Sequence, residues 1–333
     1  MNKLLLLIVT LIIISTSAYA ADWNFYGSAR IQTFVTKIDD GFFGNSYTEY
    51  DQYLQANSRI GARIKVNDQL TARFEYGTGV DLRILYGEWN FGTGSFLVGQ
   101  TYSPLNMFYS NQVWLQDLNL DGVGGLYSWR NPMLRLKFGE FQIALIQPSK
   151  TSIFGSSAEV KIPKIEAKYK FSKENWHLQI AGGYNSFETF SGGVTYRIDS
   201  YVVALGGGLT FGKAYIQGSI WFGQNVGEYG LLDTTFSYSL FGQDTDSYAY
   251  QLVAGYKIND MFSIEAGLGY VEADVEYLSL GKDSSAAYYL QSVIVLAPGV
   301  SIIPEIGLID LQTFFGDDEG DIVYYGMKWQ IDF

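Results

Sequence analysis

From Ala21 to Phe333 the chain alternates between apolar and polar residues with a period of two. In Asn57–Val66, Arg59, Gly61, Arg63 and Lys65 fall on one face, and Ile60, Ala62, Ile64 and Val66 on the other. In Ile322–Phe333, Val323, Tyr325, Met327, Trp329, Ile331 and Phe333 alternate with Tyr324, Gly326, Lys328, Gln330 and Asp332. This pattern predicts strands with one wet and one apolar face. The strands run over 23–37, 50–66, 69–76, 81–91, 95–102, 126–138, 141–148, 161–171, 176–186, 200–211, 214–224, 246–258, 261–273, 287–297, 300–311 and 321–333.

Short connectors alternate with long ones. Asn67-Asp68, Gly92–Gly94, Gly139-Glu140, Ser172–Asn175, Gly212-Lys213, Asn259-Asp260 and Pro298-Gly299 are short, and most carry turn-forming residues. Longer connections fall near 38–49, 77–80, 103–125, 149–160, 187–199, 225–245, 274–286 and 312–320. Seven short turns and eight long loops predict sixteen strands, with both chain ends on the short-turn rim. An extra hairpin at Gly192–Arg197 would make eighteen.

The wet face decides between packed sheets and a barrel. It carries Arg30, Arg59, Arg63, Arg73, Glu75 and Arg83, then Lys164, Glu166, Lys168, Gln179, Gln217, Glu265 and Glu305. A sandwich would bury these groups at great cost. The other face carries Phe25, Ile31, Phe74, Ile84, Ile165, Tyr169, Leu178, Leu252, Tyr256, Leu268 and Ile302, and needs lipid. The fold class is therefore all-β, a transmembrane antiparallel β-barrel whose closure leaves no edge in the bilayer. Aromatics near strand ends, Trp23, Phe25, Trp89, Phe91, Tyr169, Phe171, Trp329 and Phe333 on one rim and Tyr47, Tyr50 and Tyr53 on the other, fit two interfacial girdles.

Met1–Ala20 reads as a secretory signal peptide, with Lys3, the apolar stretch Leu4–Ile14 and a small-x-small site at Ala18-Tyr19-Ala20. Its cleavage leaves residues 21–333 as one barrel domain of 313 residues, a normal size for one large barrel. No plug fits in the few residues before the first strand. The chain has no cysteine, so it has no disulfide framework or thiolate metal site. The formal net charge of -12 argues against nucleic-acid binding. No cofactor is implied. The acidic run Asp317-Asp318-Glu319 with Asp321 is a candidate calcium ligand set that lacks the EF-hand spacing and reads better as a solvated rim.

The third long loop, SPLNMFYSNQVWLQDLNLDGVGG at 103–125, is too apolar for water and is expected to fold against the inner wall. Asp117 and Asp121 would then face the arginines across a narrowed lumen. Arg30, Arg59, Arg63, Arg73, Arg83, Asp117 and Asp121 are the expected pore-lining and constriction residues. Arginine keeps its charge and presents five donors, so such a ladder attracts carboxylates, phosphates or sulfates. The competing reading is a hydrated wall braced by ion pairs. An enzyme would need a nucleophile and base. His177, the only histidine, faces the lumen with no nucleophile motif beside it, and Glu265 or Glu305 would be the carboxylate alternative.

The layout resembles sixteen-stranded Gram-negative porins, including a terminal Phe333 within WQIDF like the signal read by the outer-membrane assembly machinery. Phe25–Phe34 (FYGSARIQTF), Phe96–Ser103 (FLVGQTYS), Trp129–Phe138 (WRNPMLRLKF) and Ile143–Ser149 (IALIQPS) look like the DcaP-like trimeric porins. That resemblance implies an outer-membrane, homotrimeric, passive channel in contact with lipid, taking small polar or anionic solutes, dicarboxylates in particular. The long N-terminal coiled-coil segment of some relatives has no counterpart here. A general or cation-selective porin, or a non-conducting surface barrel, is the alternative.

Overall fold

The computed structural model describes residues 21–40, 45–151, 158–275, 281–312 and 318–333. The signal-peptide reading and Asp317 of the acidic run lie outside them. Eighteen β-segments form one antiparallel sheet. β1 (Asp22–Asp40) pairs with both β2 (Asn45–Leu54) and β3 (Arg59–Lys65), which are two parts of one wall strand. β4 (Leu70–Tyr76), β5 (Leu82–Asn90), β6 (Ser95–Tyr102), β7 (Arg130–Phe138) and β8 (Phe141–Ile146) follow in order. β9 (Ala158–Glu159) and β10 (Lys164–Ser172) both pair with β11 (Trp176–Ser191), again as parts of one strand. β12 (Val194–Phe211), β13 (Ala214–Gln224), β14 (Thr245–Lys257), β15 (Phe262–Val275), β16 (Gly281–Ala297), β17 (Val300–Gln312) and β18 (Asp318–Asp332) complete a wall of sixteen strands.

β1 pairs with β18 from Ser28↔Asp332 to Asp40↔Gly320, which closes the barrel. Backbone bonds between Gly27 and Phe333, at 2.6 and 3.1 Å, seal the seam to the last residue. Closure satisfies every wall strand on both edges, the condition for crossing lipid with strands.

The expected extra hairpin is absent. β11 and β12 extend to Ser191↔Val194 and meet at Gly192 and Gly193, whose φ values of 59° and 84° suit a two-residue hairpin turn. The stretch 187–199 is thus tall strand, not loop. One expected phase also fails. A register shift between Glu75 and Tyr76 against β5 turns Ile84 inward, 1% exposed, beside Arg83, while Leu85 takes the lipid side at 51%.

The apolar core lies inside the barrel. Leu105, Met107, Tyr109, Trp114, Leu120 and Val123 of the third loop pack there with Val226, Tyr229 and Leu231 of the 225–244 connection. They rest on Ala181, Ala204, Ala249, Val253, Val271, Ala287, Ile303 and Tyr324 of the wall. The inner face is therefore not uniformly polar. Its β11–β18 half is small and apolar enough to seat two loops. The β3–β8 half keeps its charges.

Candidate functional site

The third loop enters the lumen after β6 and is held by wall carboxylates as well as by apolar contact. Glu166 of β10 accepts the Leu105 N–H at 2.9 Å. Glu265 of β15 accepts the Asn111 N–H at 3.0 Å, and Glu305 of β17 accepts those of Val113 and Trp114 at 2.6 and 3.1 Å. A loop inside a barrel leaves amide N–H groups without strand partners, and ionised acceptors are the strongest replacements. Lys168 donates to the Asn106 carbonyl at 2.9 Å. The Trp114 ring stacks on Tyr324 at 4.2 Å. His177 stacks on Tyr109 of the loop at 5.8 Å.

The loop tip is a left-handed turn. Leu115, Gln116 and Asp117 have φ of 48°, 66° and 61°. Such conformations cost non-glycine residues about 1–2 kcal/mol each. The gap between β2 and β3 supplies compensation. There Ala56 N–H donates to Gln116 Oε1 at 3.0 Å, and Asn57 Nδ2 donates to the Gln116 carbonyl and to Asp117 Oδ2 at 2.8 Å each. The wall strand breaks where its backbone turns to hold the tip. This places Asp117 2.6 Å from Arg30 and 2.8 Å from Lys328 of β18.

A second connection folds inward as well, which the sequence reading did not anticipate. Tyr229, fully buried, donates to Glu166 at 2.9 Å, so that one carboxylate ties both loops. Leu232 N–H donates to the Tyr127 carbonyl at 3.1 Å, and Thr234 N–H to that of Gly122 at 3.1 Å. The available signal was the apolar set Val226, Tyr229, Leu231, Leu232 and Phe236, unusual for a loop left in water.

Opposite the loops, the basic wall is concentrated around one carboxylate. Glu75 is fully buried and accepts Arg73 and Arg83 at 2.8 Å each, with Arg59 3.7 Å away and Tyr26 donating at 2.9 Å. Three guanidinium groups thus share one carboxylate. Arg63 lies over the Tyr26 ring at 5.2 Å and has no ion pair among the described residues. Arg130 leans on Tyr102, ring at 5.4 Å and hydroxyl at 3.2 Å.

The predicted residues divide as follows. Arg59, Arg63, Arg73 and Arg83 come together on the uncovered wall, whereas Arg30 sits at the tip of the loop with Asp117. Asp121 makes no ion pair with the ladder among the described residues. It is 7% exposed, and burial pushes its carboxyl well above the usual range. Glu75 and Arg130 were not singled out as site residues. Glu75 had a readable signal, an acid in phase with the arginines of its own strand. Among the described residues no group of histidine, cysteine and carboxylates forms a metal site.

Solved structures match this architecture over nearly the whole chain. The outer-membrane channel DcaP of Acinetobacter baumannii superposes with a TM-score of 0.79, covering 95% of this chain and 99% of that one at 16% identity. The chain has a porin fold. An anion-selective porin from Comamonas acidovorans matches with a TM-score of 0.64 at 13% identity, covering 94% and 100% of the two chains. The in-vitro folded trimer form of OmpT, an outer-membrane protein of Vibrio cholerae, matches at 0.60 and 15% identity, covering 93% and 99%. No family model and no curated protein matches the chain. The porin-fold likeness covers the barrel from end to end, and the expected sixteen-strand closure and inward third loop are both present.

Proposed function

We propose that this protein is a passive outer-membrane diffusion channel for small hydrophilic solutes, favouring anions. One observation carries the reading. On the wall left uncovered by both loops, Arg59, Arg73 and Arg83 share the single carboxylate of Glu75, and Arg63 and Arg130 add charge with no ion pair among the described residues. Local charge at a narrow point governs permeation more than net charge does. The excess there is positive although the chain as a whole is acidic, so dicarboxylates and inorganic oxyanions are the expected solutes.

The rest of the reading follows from the outer surface. Leu85, Leu134, Ile180, Leu205, Leu252 and Ile306 present an apolar wall to lipid, each between 44% and 54% exposed. Homotrimer formation through part of that wall, removal of residues 1–20 and recognition of Phe333 by the assembly machinery belong to the same proposal. So does the absence of catalysis, His177 serving as a wall residue under the loop.

Single-channel recording in a planar bilayer tests this. Reversal potential in a salt gradient should show anion preference, with current blocked by succinate, phosphate or sulfate and block relieved in Arg59→Ala or Arg63→Ala. Cation-selective steps without such block would reduce the ladder to a hydrated wall. Folded protein without conductance would make the barrel a surface structure.

A further inference from the structure

A cleft of about 410 Å³ lies beside the loop tip, and its walls differ in character. One wall carries Arg83, Arg130, Asp81, Asp117 and Asp121. The other carries Phe108, Trp129 and Leu115, which remain 46%, 46% and 45% exposed inside the cleft. A channel for fully hydrated ions has no use for exposed rings at its narrow point, where each forgoes burial. The rings are also ordered. Tyr102, Phe108, Tyr127 and Trp129 form a chain with centroid separations of 5.1, 5.9 and 5.1 Å. Trp129 is held at a φ of 64°, and its carbonyl accepts Asn106 Nδ2 at 3.1 Å.

The charges in the cleft are unequally committed. Arg83 is bound to Glu75. Asp117 is bound to Arg30 and Lys328. Arg130, the residue after Trp129, has only the Tyr102 ring and hydroxyl as partners among the described residues. We propose that this cleft is a selectivity subsite for aromatic monocarboxylates, the ring lying against Trp129 and Phe108 and the carboxylate reaching Arg130. The assignment rests on the anion-channel reading and narrows it from any small anion to planar amphipathic ones. Ring stacking adds to the charge term, so an aryl carboxylate gains over an aliphatic one of equal charge.

The test compares benzoate with acetate and cyclohexanecarboxylate. Titration calorimetry on the folded, detergent-solubilised protein measures binding without requiring current, and bilayer recording measures block. Benzoate should bind about ten-fold more tightly than acetate and more tightly than cyclohexanecarboxylate. Trp129→Ala should remove that advantage, Trp129→Phe should keep most of it, and Arg130→Gln should weaken all three anions together. Equal binding of benzoate and acetate in a conducting, anion-selective protein overturns the subsite and leaves the channel standing. A benzoate advantage that survives in Trp129→Ala also overturns it. Tight, Trp129-dependent benzoate binding to a folded protein that carries no current supports the subsite and removes the channel.

Discussion

The Asp117 carboxylate on the inward loop accepts a 2.6 Å hydrogen bond from Arg30 of β1. This contact joins the tip of a strained left-handed turn to the barrel seam, and Lys328 of β18 reinforces it at 2.8 Å. Asp117→Asn leaves two largely buried cations without a counter-charge, and should weaken loop docking by about 1–3 kcal/mol. The expected outcome is a noisier open channel with stronger anion preference, seen in single-channel current variance and reversal potential.

Glu75 is the neutralising group of the basic wall. Glu75→Gln leaves Arg59, Arg73 and Arg83 without their shared carboxylate. Anion preference should rise and thermal stability should fall by about 1–3 kcal/mol, from like-charge crowding and lost charge-assisted bonds. Reversal potential and melting of the folded barrel check the two effects, which should move in opposite directions.

Steric room is required where the third loop crosses the lumen. A methyl group at Gly124, which has a φ of 99°, would overlap the Tyr250 carbonyl oxygen, and one at Gly269 would overlap that of Val123. Gly124→Val should leave the barrel folded but undock the loop. Larger conductance and protease cleavage within 103–125, in a protein that still runs as a folded barrel in an unheated gel, is the expected result.

The second inward loop should respond to pH. Glu228 is fully buried outside the membrane-spanning strands, and burial raises its pKa to about 8, with Ser239 N–H opposing the shift and Asp244 adding to it. Undocked, the carboxyl would titrate near its ordinary value of 4.5. The docked state therefore holds a proton that the undocked state releases, so docking is most stable in acid and weakens as pH rises from about 4.5 to about 8. Hydrogen exchange over 226–244 should accelerate across that window. Glu228→Gln should flatten the dependence.

The anchoring glutamates give a further expectation. Glu305 accepts two loop amides, and each charge-assisted bond contributes about 1.5–3 kcal/mol. Glu305→Ala should release the Val113–Trp114 segment, raising amide exchange there before any loss of wall strands.

The period-two pattern, the short and long connectors and the polar face were enough to determine a closed sixteen-stranded barrel with both ends on one rim. Those features are local, because a strand facing lipid on one side and water on the other must alternate. The apolar content of 103–125 likewise sent that loop inward, since Met107, Tyr109 and Trp114 need a dry surface. Pairing between distant segments was not local. Only the tertiary structure decided that Arg30 meets Asp117 and Lys328, that Glu75 gathers three arginines, and that a bulge turns Ile84 inward. It also decided which half of the lumen stays wet. Small residues such as Ala204, Ala249 and Ala287 look unremarkable one strand at a time. Barrel closure sets them side by side as a floor for two loops, leaving the arginines on the open side.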